Sequence, residues 1–227
     1  HGSVRVCGEG TMFAMPETGI GLFPDVGGTY FLPRCPGQIG MYLALTGARL
    51  DVTDAKYAGV ATHVVPAAQH EALLADLCNS TDALEKVLAR HAVNPQNRSK
   101  LDGLQQPLDM FFSEGSVEDI MASLAKGKSL FEEQTLKLLA GKSPTSLKVT
   151  YRQIREGAKL GFEDCMKLEF RLTNRFMRGH DFYEGVRAVI IDKDNAPRWT
   201  PPTLDAVAPS LIDAHFASLG ADEWRAS

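Results

Sequence analysis

The stretch that decides how the fold is interpreted lies near the start of the sequence and reads Phe13-Ala14-Met15-Pro16-Glu17-Thr18-Gly19-Ile20-Gly21-Leu22-Phe23-Pro24-Asp25-Val26-Gly27-Gly28-Thr29-Tyr30. Two acidic residues, Glu17 and Asp25, lie eight positions apart in it among apolar residues, prolines and glycines. Each acid follows a proline, and a proline fixes its own φ and restricts the residue before it. Side chains at such rigid points are held stiffly, as a general acid or base requires. The spacing alone leaves a simpler interpretation open, in which both carboxylates cap the turns around them.

The composition is that of an ordinary globular protein. The chain has 227 residues, of which 44% are hydrophobic and 23% charged, and its net charge is -4. This length fits one large domain or two modest ones. No basic run or arginine–aromatic pattern offers a footprint for a nucleic-acid backbone, so we expect no direct nucleic-acid partner. No apolar run approaches the roughly 20 residues of a membrane helix, so we expect no membrane partner either.

The four cysteines are widely spaced along the sequence and form no CxxC or Cys/His cluster of the kind that binds zinc. We expect Cys7, Cys35, Cys78 and Cys165 to be free thiols in a reducing compartment. The sequence predicts no metal site.

The hydrophobic pattern changes along the chain. Up to residue 66 it alternates between strands, predicted at 3–7, 11–15 and 61–65, and helices, predicted at 39–46 and 53–58. From residue 67 onward it is helical, with helices predicted at 69–79, 81–91, 117–126, 128–140, 144–156, 162–178, 181–190 and 208–219. Residues 92–106 lack periodicity and are predicted to form a loop, and the prolines of 192–203 exclude a helix there. The sequence therefore predicts an α/β fold in two parts, 1–66 and 67–227.

Several motifs resemble the second half of the crotonase (enoyl-CoA hydratase/isomerase) superfamily, and the resemblance covers nearly the whole chain. They are Met15-Pro16-Glu17, Ile20-Gly21-Leu22-Phe23-Pro24-Asp25-Val26-Gly27-Gly28-Thr29, Leu32-Pro33-Arg34, Leu45-Thr46-Gly47, Ala58-Gly59 and His63-Val64-Val65-Pro66. The resemblance implies the C-terminal part of a crotonase-like ββα spiral, followed by a mostly helical region that covers the acyl pocket and supports self-association. Residues 1–66 would then be the remnant of this ββα core and would carry the two acids, and residues 67–227 would be the helical region.

Within the superfamily the sequence is most similar to the branch that hydrolyses 3-hydroxyisobutyryl-CoA. One reason is Asp25 itself, because ordinary hydratases carry a small residue at that position. The other is a distal block, Ser143-Pro144-Thr145-Ser146-Leu147-Lys148 with Met177-Arg178-Gly179-His180-Asp181-Phe182 and the run from Glu184 to Asp194.

The resemblance implies that Glu17 is the catalytic glutamate and that Asp25 is the second acidic residue of the active site, both binding the substrate. The implied reaction is hydrolysis of the 3-hydroxyisobutyryl-CoA thioester to 3-hydroxyisobutyrate and CoA, in valine catabolism. Glu17 would act as nucleophile or as general base, and Asp25 would orient the 3-hydroxyl or relay protons. CoA is part of the substrate, so no separate cofactor is expected.

The start of the chain carries a further expectation. The sequence begins at His1 without an initiator methionine and enters a strand pattern at once, so we expect it to be the C-terminal portion of a longer protein. In the family two backbone N–H groups polarise the thioester carbonyl, and both would lie upstream of His1. The chain by itself is then expected to lack the oxyanion hole and to be inactive.

Two other functions stay open. One is another crotonase-fold enzyme, such as an enoyl-CoA hydratase, and the other is a non-catalytic relative that serves as a subunit of the mitochondrial ribosome. The chain ends in Trp224-Arg225-Ala226-Ser227, which is not a peroxisomal address, so a mitochondrial location is expected over a peroxisomal one.

Other chemically capable residues are given ordinary roles. His63 and His180 are not expected to be bases, because no Ser or Cys nucleophile signature accompanies them. Arg34, Arg178 and Lys193 are interpreted as solvated or helix-end cations. Four phenylalanines are expected in the core: Phe111, Phe112, Phe170 and Phe176.

Overall fold

The computed structural model describes residues 2–224, and its contacts divide the chain into two units. Unit 1 contains His1–Ala14 and Arg49–Gln106, and unit 2 contains Met15–Ala48 and Pro107–Ser227. The chain therefore passes from one unit to the other three times: before Met15, after Ala48 and inside the helix Lys100–Phe112. The predicted division at residue 66 rests on a change of sequence pattern, and it stays a prediction.

Unit 1 contains a parallel sheet of two short strands. Val6–Cys7 pairs with His63–Val64, in the register Val6 to His63 and Cys7 to Val64. Its α-helices are Val52–Tyr57, His70–Asn79, Leu84–His91 and the first part of Lys100–Phe112, and a 3-10 helix occupies Ala67–Gln69. A small core packs between these elements and consists of Val65, Leu73, Val87 and Leu88.

Two predictions for unit 1 are wrong. Residues 11–15 form no strand, and only an isolated bridge joins Phe13 to Leu50. The predicted loop 92–106 includes the start of the helix Lys100–Phe112. The buried Asp54 carboxylate accepts the Lys100 N–H at 2.9 Å and the Ser99 hydroxyl at 2.7 Å. This helix start is therefore satisfied by a side chain that is remote in sequence, and a local pattern does not report it.

Unit 2 is helical. Beyond the last part of Lys100–Phe112, its α-helices are Gly28–Phe31, Ile39–Thr46, Val117–Leu124, Leu130–Ala140, Pro144–Gly157, Phe162–Phe176, Asp181–Val186 and Pro209–Phe216. Short 3-10 helices occupy Glu17–Ile20, Leu32–Arg34 and Gly220–Asp222, and a π-helix at Arg187–Ile191 continues Asp181–Val186. The helices predicted from the sequence for unit 2 are confirmed. The one difference in helix type is in the predicted helix 181–190, whose second part is the π-helix Arg187–Ile191.

One hydrophobic cluster in the core of unit 2 combines residues of its helices, of the Pro/Gly-rich stretch and of the loop before Pro209–Phe216, namely Leu22, Phe23, Val149, Leu168, Leu172, Phe176, Val207, Ile212 and Phe216. Phe111 and Phe112 are buried as predicted. Phe170 is 38% exposed, so its assignment to the core is wrong. It follows Glu169 on Phe162–Phe176, and it lies on the face that leaves the core because the buried positions recur every three or four residues.

Two contacts fix the 3-10 helix Glu17–Ile20, which carries the first predicted acid. Ser143, at the start of Pro144–Gly157, donates its backbone N–H to the Thr18 carbonyl at 3.1 Å. Gly185 of Asp181–Val186 lies against the other side, where a Cβ atom would come within 2.3 Å of the Ile20 carbonyl carbon. The segment is thus held by two helices of unit 2.

Among residues 2–224, no helix combines the length and the apolar composition that crossing a membrane demands.

Candidate active site

Glu17 is the first residue of the 3-10 helix Glu17–Ile20, and its carboxyl is partly buried. Its pKa is raised from 4.5 to about 7, mainly by burial and also by the charge of Asp25, while a hydrogen bond from its own backbone N–H and the charge of Lys142 oppose the shift. The buried Oε2 atom has no hydrogen-bond partner among the described residues. A carboxyl with this pKa can give or take a proton near neutral pH, which suits a general acid or base.

Asp25 lies close enough to Glu17 for its charge to act on the Glu17 carboxyl. Its own pKa is raised, mainly by burial. The negative charge of Asp25 disfavours the charged form of Glu17, so it adds to the effect of burial on the Glu17 pKa. The structure therefore brings the two acids predicted from the sequence together.

A strained turn follows Asp25. Val26 has a φ of 45° and Gly27 a φ of 92°, both in the left-handed region, and the Gly28 N–H donates to the Asp25 carbonyl at 2.8 Å. For a β-branched residue such as Val26, a positive φ is unfavourable and must be stabilised by the surroundings.

Glu169 supplies this stabilisation. Its buried carboxylate accepts the Gly27 N–H at 2.9 Å and the Thr29 N–H at 3.0 Å. Burial raises the pKa of Glu169, and the two backbone donors oppose that shift by favouring the charged form. Glu169 is therefore a positioning residue for the segment that carries Asp25.

Gln153 acts on the other side of the same turn. Its buried Nε2 donates to the Pro24 carbonyl at 2.7 Å and to the Thr29 hydroxyl at 2.7 Å. The residues before and after Asp25 are thus both held by side chains from helices. Glu169 and Gln153 were not predicted from the sequence. One signal was present for Glu169, because an acid lies there within the buried stripe Cys165, Leu168, Leu172 and Phe176.

A series of hydrogen-bond contacts links Ser143, Asp181 and His180, and its role is structural. The Ser143 hydroxyl donates to Asp181 Oδ2 at 2.6 Å and also caps Pro144–Gly157 by accepting the Ser146 N–H. His180 Nδ1 lies 3.1 Å from Asp181 Oδ1. A serine nucleophile needs a histidine on its hydroxyl, and here the hydroxyl is bonded to the aspartate.

The remaining candidates have local partners. His63, in unit 1, contacts the Thr62 hydroxyl, and Arg34 stacks over the Tyr30 ring and donates to the Gly157 and Leu160 carbonyls. Arg178 and Lys193 are exposed. The four cysteines are free thiols, as predicted. Within residues 2–224, no three His, Cys, Asp or Glu side chains are grouped so as to hold a metal ion.

The chain is similar to known proteins over nearly its whole length. A profile model described as enoyl-CoA hydratase/isomerase matches residues 1–216. The mitochondrial 3-hydroxyisobutyryl-CoA hydrolase of Danio rerio is 48% identical, over 96% of this chain and 59% of the relative. The human protein of the same name is 44% identical, over 99% of this chain and 60% of the relative. The chain thus spans about 60% of the length of these relatives.

Solved structures give the same result for the fold. A carnitinyl-CoA dehydratase from Mycobacterium thermoresistibile superposes with a TM-score of 0.89 at 37% identity, over 98% of this chain and 64% of that one. An enoyl-CoA hydratase from Rhodobacter sphaeroides 2.4.1 superposes with a TM-score of 0.87 at 39% identity, over 97% and 63%. The crotonase-like fold class predicted from the sequence is confirmed, and the chain belongs to the enoyl-CoA hydratase/isomerase family.

Proposed function

We propose that this protein hydrolyses the thioester of 3-hydroxyisobutyryl-CoA to 3-hydroxyisobutyrate and CoA, as a step of valine catabolism. The observation that carries the proposal is the second acid, Asp25, beside a glutamate whose pKa is raised to about 7. Relatives with 48% and 44% identity that bear the name of this hydrolase support it.

Glu17 is the reacting group of the proposed mechanism, and two routes are open to it. As a nucleophile, its carboxylate adds to the thioester carbonyl, the C–S bond breaks, CoA leaves as the thiol after taking a proton, and water then cleaves the resulting anhydride. As a general base, it takes a proton from water, the hydroxide adds to the carbonyl, and CoA leaves with a proton. Both routes require the ionised form of Glu17, which predominates above about pH 7.

Asp25 is proposed to bind the 3-hydroxyl of the acyl group. Its partly buried carboxyl follows the rigid Pro24 and precedes the turn held by Glu169, so its position is fixed before a substrate arrives. A carboxylate in a fixed position accepts a hydrogen bond from a hydroxyl at little cost in conformational entropy. The two backbone N–H groups expected to polarise the carbonyl stay a prediction.

The experiment is to express the full-length chain that the gene encodes and to measure CoA thiol release from 3-hydroxyisobutyryl-CoA. Glu17→Gln is expected to lower kcat by about 10²-fold or more, the range typical of a lost acid–base group. Asp25→Asn is expected to act mainly through recognition of the 3-hydroxyl, so its effect should be smaller on isobutyryl-CoA. Glu163→Gln, an exposed acid of Phe162–Phe176, is the matched control.

Unchanged rates in both Glu17→Gln and Asp25→Asn would refute the site. Hydration of a 2-enoyl-CoA without thiol release would favour a hydratase, and co-sedimentation with ribosomal particles without turnover would favour a scaffold. Mass spectrometry of an acid-quenched reaction separates the two routes, because only the nucleophilic route adds the acyl mass to the peptide that contains Glu17.

We further propose a mitochondrial location and self-association. The location follows the names of the relatives, and cell fractionation tests it. Size-exclusion chromatography with light scattering tests self-association. No cofactor is proposed besides the CoA of the substrate, and turnover by dialysed protein in the presence of a chelator tests that.

A further inference from the structure

A cavity of about 570 Å³ lies in unit 2 next to the 3-10 helix Glu17–Ile20, which it reaches at Gly19. Its polar lining comes from two cations and two amides, and its apolar lining includes one leucine and one valine: Lys137, Lys142, Gln134, Asn195, Leu138 and Val189. A pocket lined by both cationic and amide donors and aliphatic groups fits a small acid with a short alkyl chain.

Lys142 is the cation of this cavity that lies deepest, since Lys137 is exposed and Lys142 is partly buried. Its backbone is fixed between the Leu139 carbonyl, which accepts its N–H at 3.0 Å, and the bond from Ser143 to Thr18. Its Nζ lies beside Gly19, where a Cβ atom would be only 3.2 Å away. The absence of a side chain at Gly19 therefore leaves room for the ammonium group.

This ammonium group has no hydrogen bond or ion pair with any residue between 2 and 224. Burial lowers the pKa of Lys142, and the charge of Glu17 raises it. Glu17 presents the matching feature, because its buried Oε2 also lacks a partner in the same part of the chain. The two opposite charges thus act on each other, while neither the Lys142 ammonium group nor the Glu17 Oε2 atom hydrogen-bonds to a residue between 2 and 224.

A hydrogen-bond donor or acceptor without a partner in a partly buried site is unfavourable unless a ligand or water bonds to it. We propose that Lys142 is a ligand-binding residue of this site, and that the cavity binds a short-chain carboxylate whose oxygens meet the Lys142 ammonium and whose alkyl group meets Leu138 and Val189. The inference rests on the proposed function in one respect, because the acid released by thioester hydrolysis belongs to this class. The resemblance to the family assigned no role to Lys142.

The charged groups near the ligand fix how binding depends on pH. Lys142 and Lys137 attract a carboxylate, and ionised Glu17 and Asp25 repel it. Glu17 changes its charge near pH 7, so the carboxylate should bind more weakly as the pH rises from 6 to 8. Replacing Glu17 by glutamine should remove most of this dependence.

The test is isothermal titration calorimetry of the full-length chain with 3-hydroxyisobutyrate and, separately, isobutyrate. Lys142→Met is expected to weaken binding at least about tenfold, the loss expected for one charge-assisted hydrogen bond. Lys142→Arg should retain binding within about threefold, because it keeps the charge. Lys126→Met, at an exposed lysine outside the cavity, should bind as the unchanged protein does.

Circular dichroism and thermal unfolding establish that each variant is folded. Equal binding by folded Lys142→Met and unchanged protein would overturn the inference, as would the failure of the unchanged protein to bind either acid. The proposed function fails separately, if the full-length chain releases no CoA while its carboxylate binding still depends on Lys142.

Discussion

The carboxylate of Glu169 accepts the backbone N–H of Gly27 at 2.9 Å and so closes the turn that follows Asp25. Glu169 belongs to Phe162–Phe176, and Gly27 lies at the start of Gly28–Phe31, so one buried side chain joins two helices of unit 2. The same carboxylate also accepts the Thr29 N–H at 3.0 Å. A candidate catalytic acid is therefore positioned by an acid that has no contact with the reacting atoms in the proposed mechanism.

Glu169→Ala is expected to destabilise the protein by about 3 kcal/mol, because it leaves the amides of Gly27 and Thr29 buried without acceptors. Glu169→Gln keeps one acceptor oxygen and should cost about half as much. Urea unfolding followed by circular dichroism measures both. The exposed Glu163→Gln is the control and should change the free energy of unfolding by less than about 0.5 kcal/mol. A loss in Glu169→Ala no larger than in this control would contradict the positioning role.

Combining Glu169→Gln with Asp25→Asn separates positioning from general destabilisation. If Glu169 acts through Asp25, its effect on thiol release should be largely lost once Asp25 has been replaced, so the two changes should not be additive. Additive losses in kcat/KM would mean that Glu169 affects the reaction independently of Asp25.

Glu17→Gln is expected to stabilise the folded protein at pH 8 while it removes activity. The pKa of Glu17 is about 7 in the folded state and near 4.5 when unfolded, so ionisation favours unfolding as the pH rises from about 4.5 to 7. This destabilisation is complete above pH 7, and glutamine removes it. We expect a gain of about 1 kcal/mol at pH 8, because partial exposure of the carboxyl and the burial of the new amide both reduce the full effect.

Below pH 4.5 the difference should disappear, because the glutamate is then protonated in both states. Urea unfolding of both proteins between pH 4 and 8 measures this trend, and Glu163→Gln should show no comparable increase with pH. A stability difference that did not change with pH would refute the raised pKa of Glu17.

Local chain stiffness marked the two acids of the candidate site as possible acid–base groups, and the resemblance to the crotonase superfamily gave them their predicted roles, whereas the residues that position them are not encoded locally. Glu17 and Asp25 each follow a proline in a stretch without basic neighbours. Glu169 and Gln153 reach the same stretch from helices more than a hundred residues later. The burial of the Glu169 carboxylate and of the Gln153 Nε2 atom is explained only by the tertiary hydrogen bonds that these atoms make.

The errors in secondary structure have the same cause. The helix Lys100–Phe112 begins where the remote Asp54 accepts the Lys100 N–H, and residues 11–15 have strand composition without a partner beyond the bridge at Phe13. Helices with their own caps were predictable, as Pro144–Gly157 shows with Ser143 at its N-cap and proline in its first turn.

Protonation of the buried His215 should destabilise the fold at low pH. Burial lowers the pKa of this imidazole, and the nearby Arg175 lowers it further, so the unfolded chain takes up a proton first as the pH falls below about 6.5. Stability should therefore decrease as the pH falls below about 6.5. His215→Phe keeps the ring contact with Phe176 and should make this decrease shallower. An unchanged pH profile in the variant would show that other groups cause the loss.

Gly185→Ala is expected to move the helix Asp181–Val186 away from the segment that carries Glu17. The added Cβ would lie 2.3 Å from the Ile20 carbonyl carbon, and a backbone atom cannot yield as a flexible side chain does. Overpacking of this kind typically costs 1–3 kcal/mol, and we expect about 3 kcal/mol here. Gly161→Ala, where nothing lies within 4 Å of the new atom, is the matched control and should be nearly neutral.

The same change should alter the chemistry of Glu17 in a way that simple destabilisation would not. Burial is the main cause of its raised pKa, so a displaced helix that admits water should return that pKa toward 4.5. The acidic limb of the pH–rate profile for thiol release should then move to lower pH in the folded fraction of Gly185→Ala. An unmoved limb in a variant that is measurably destabilised would show that the contact between Gly185 and Ile20 supports the fold without setting the protonation of Glu17.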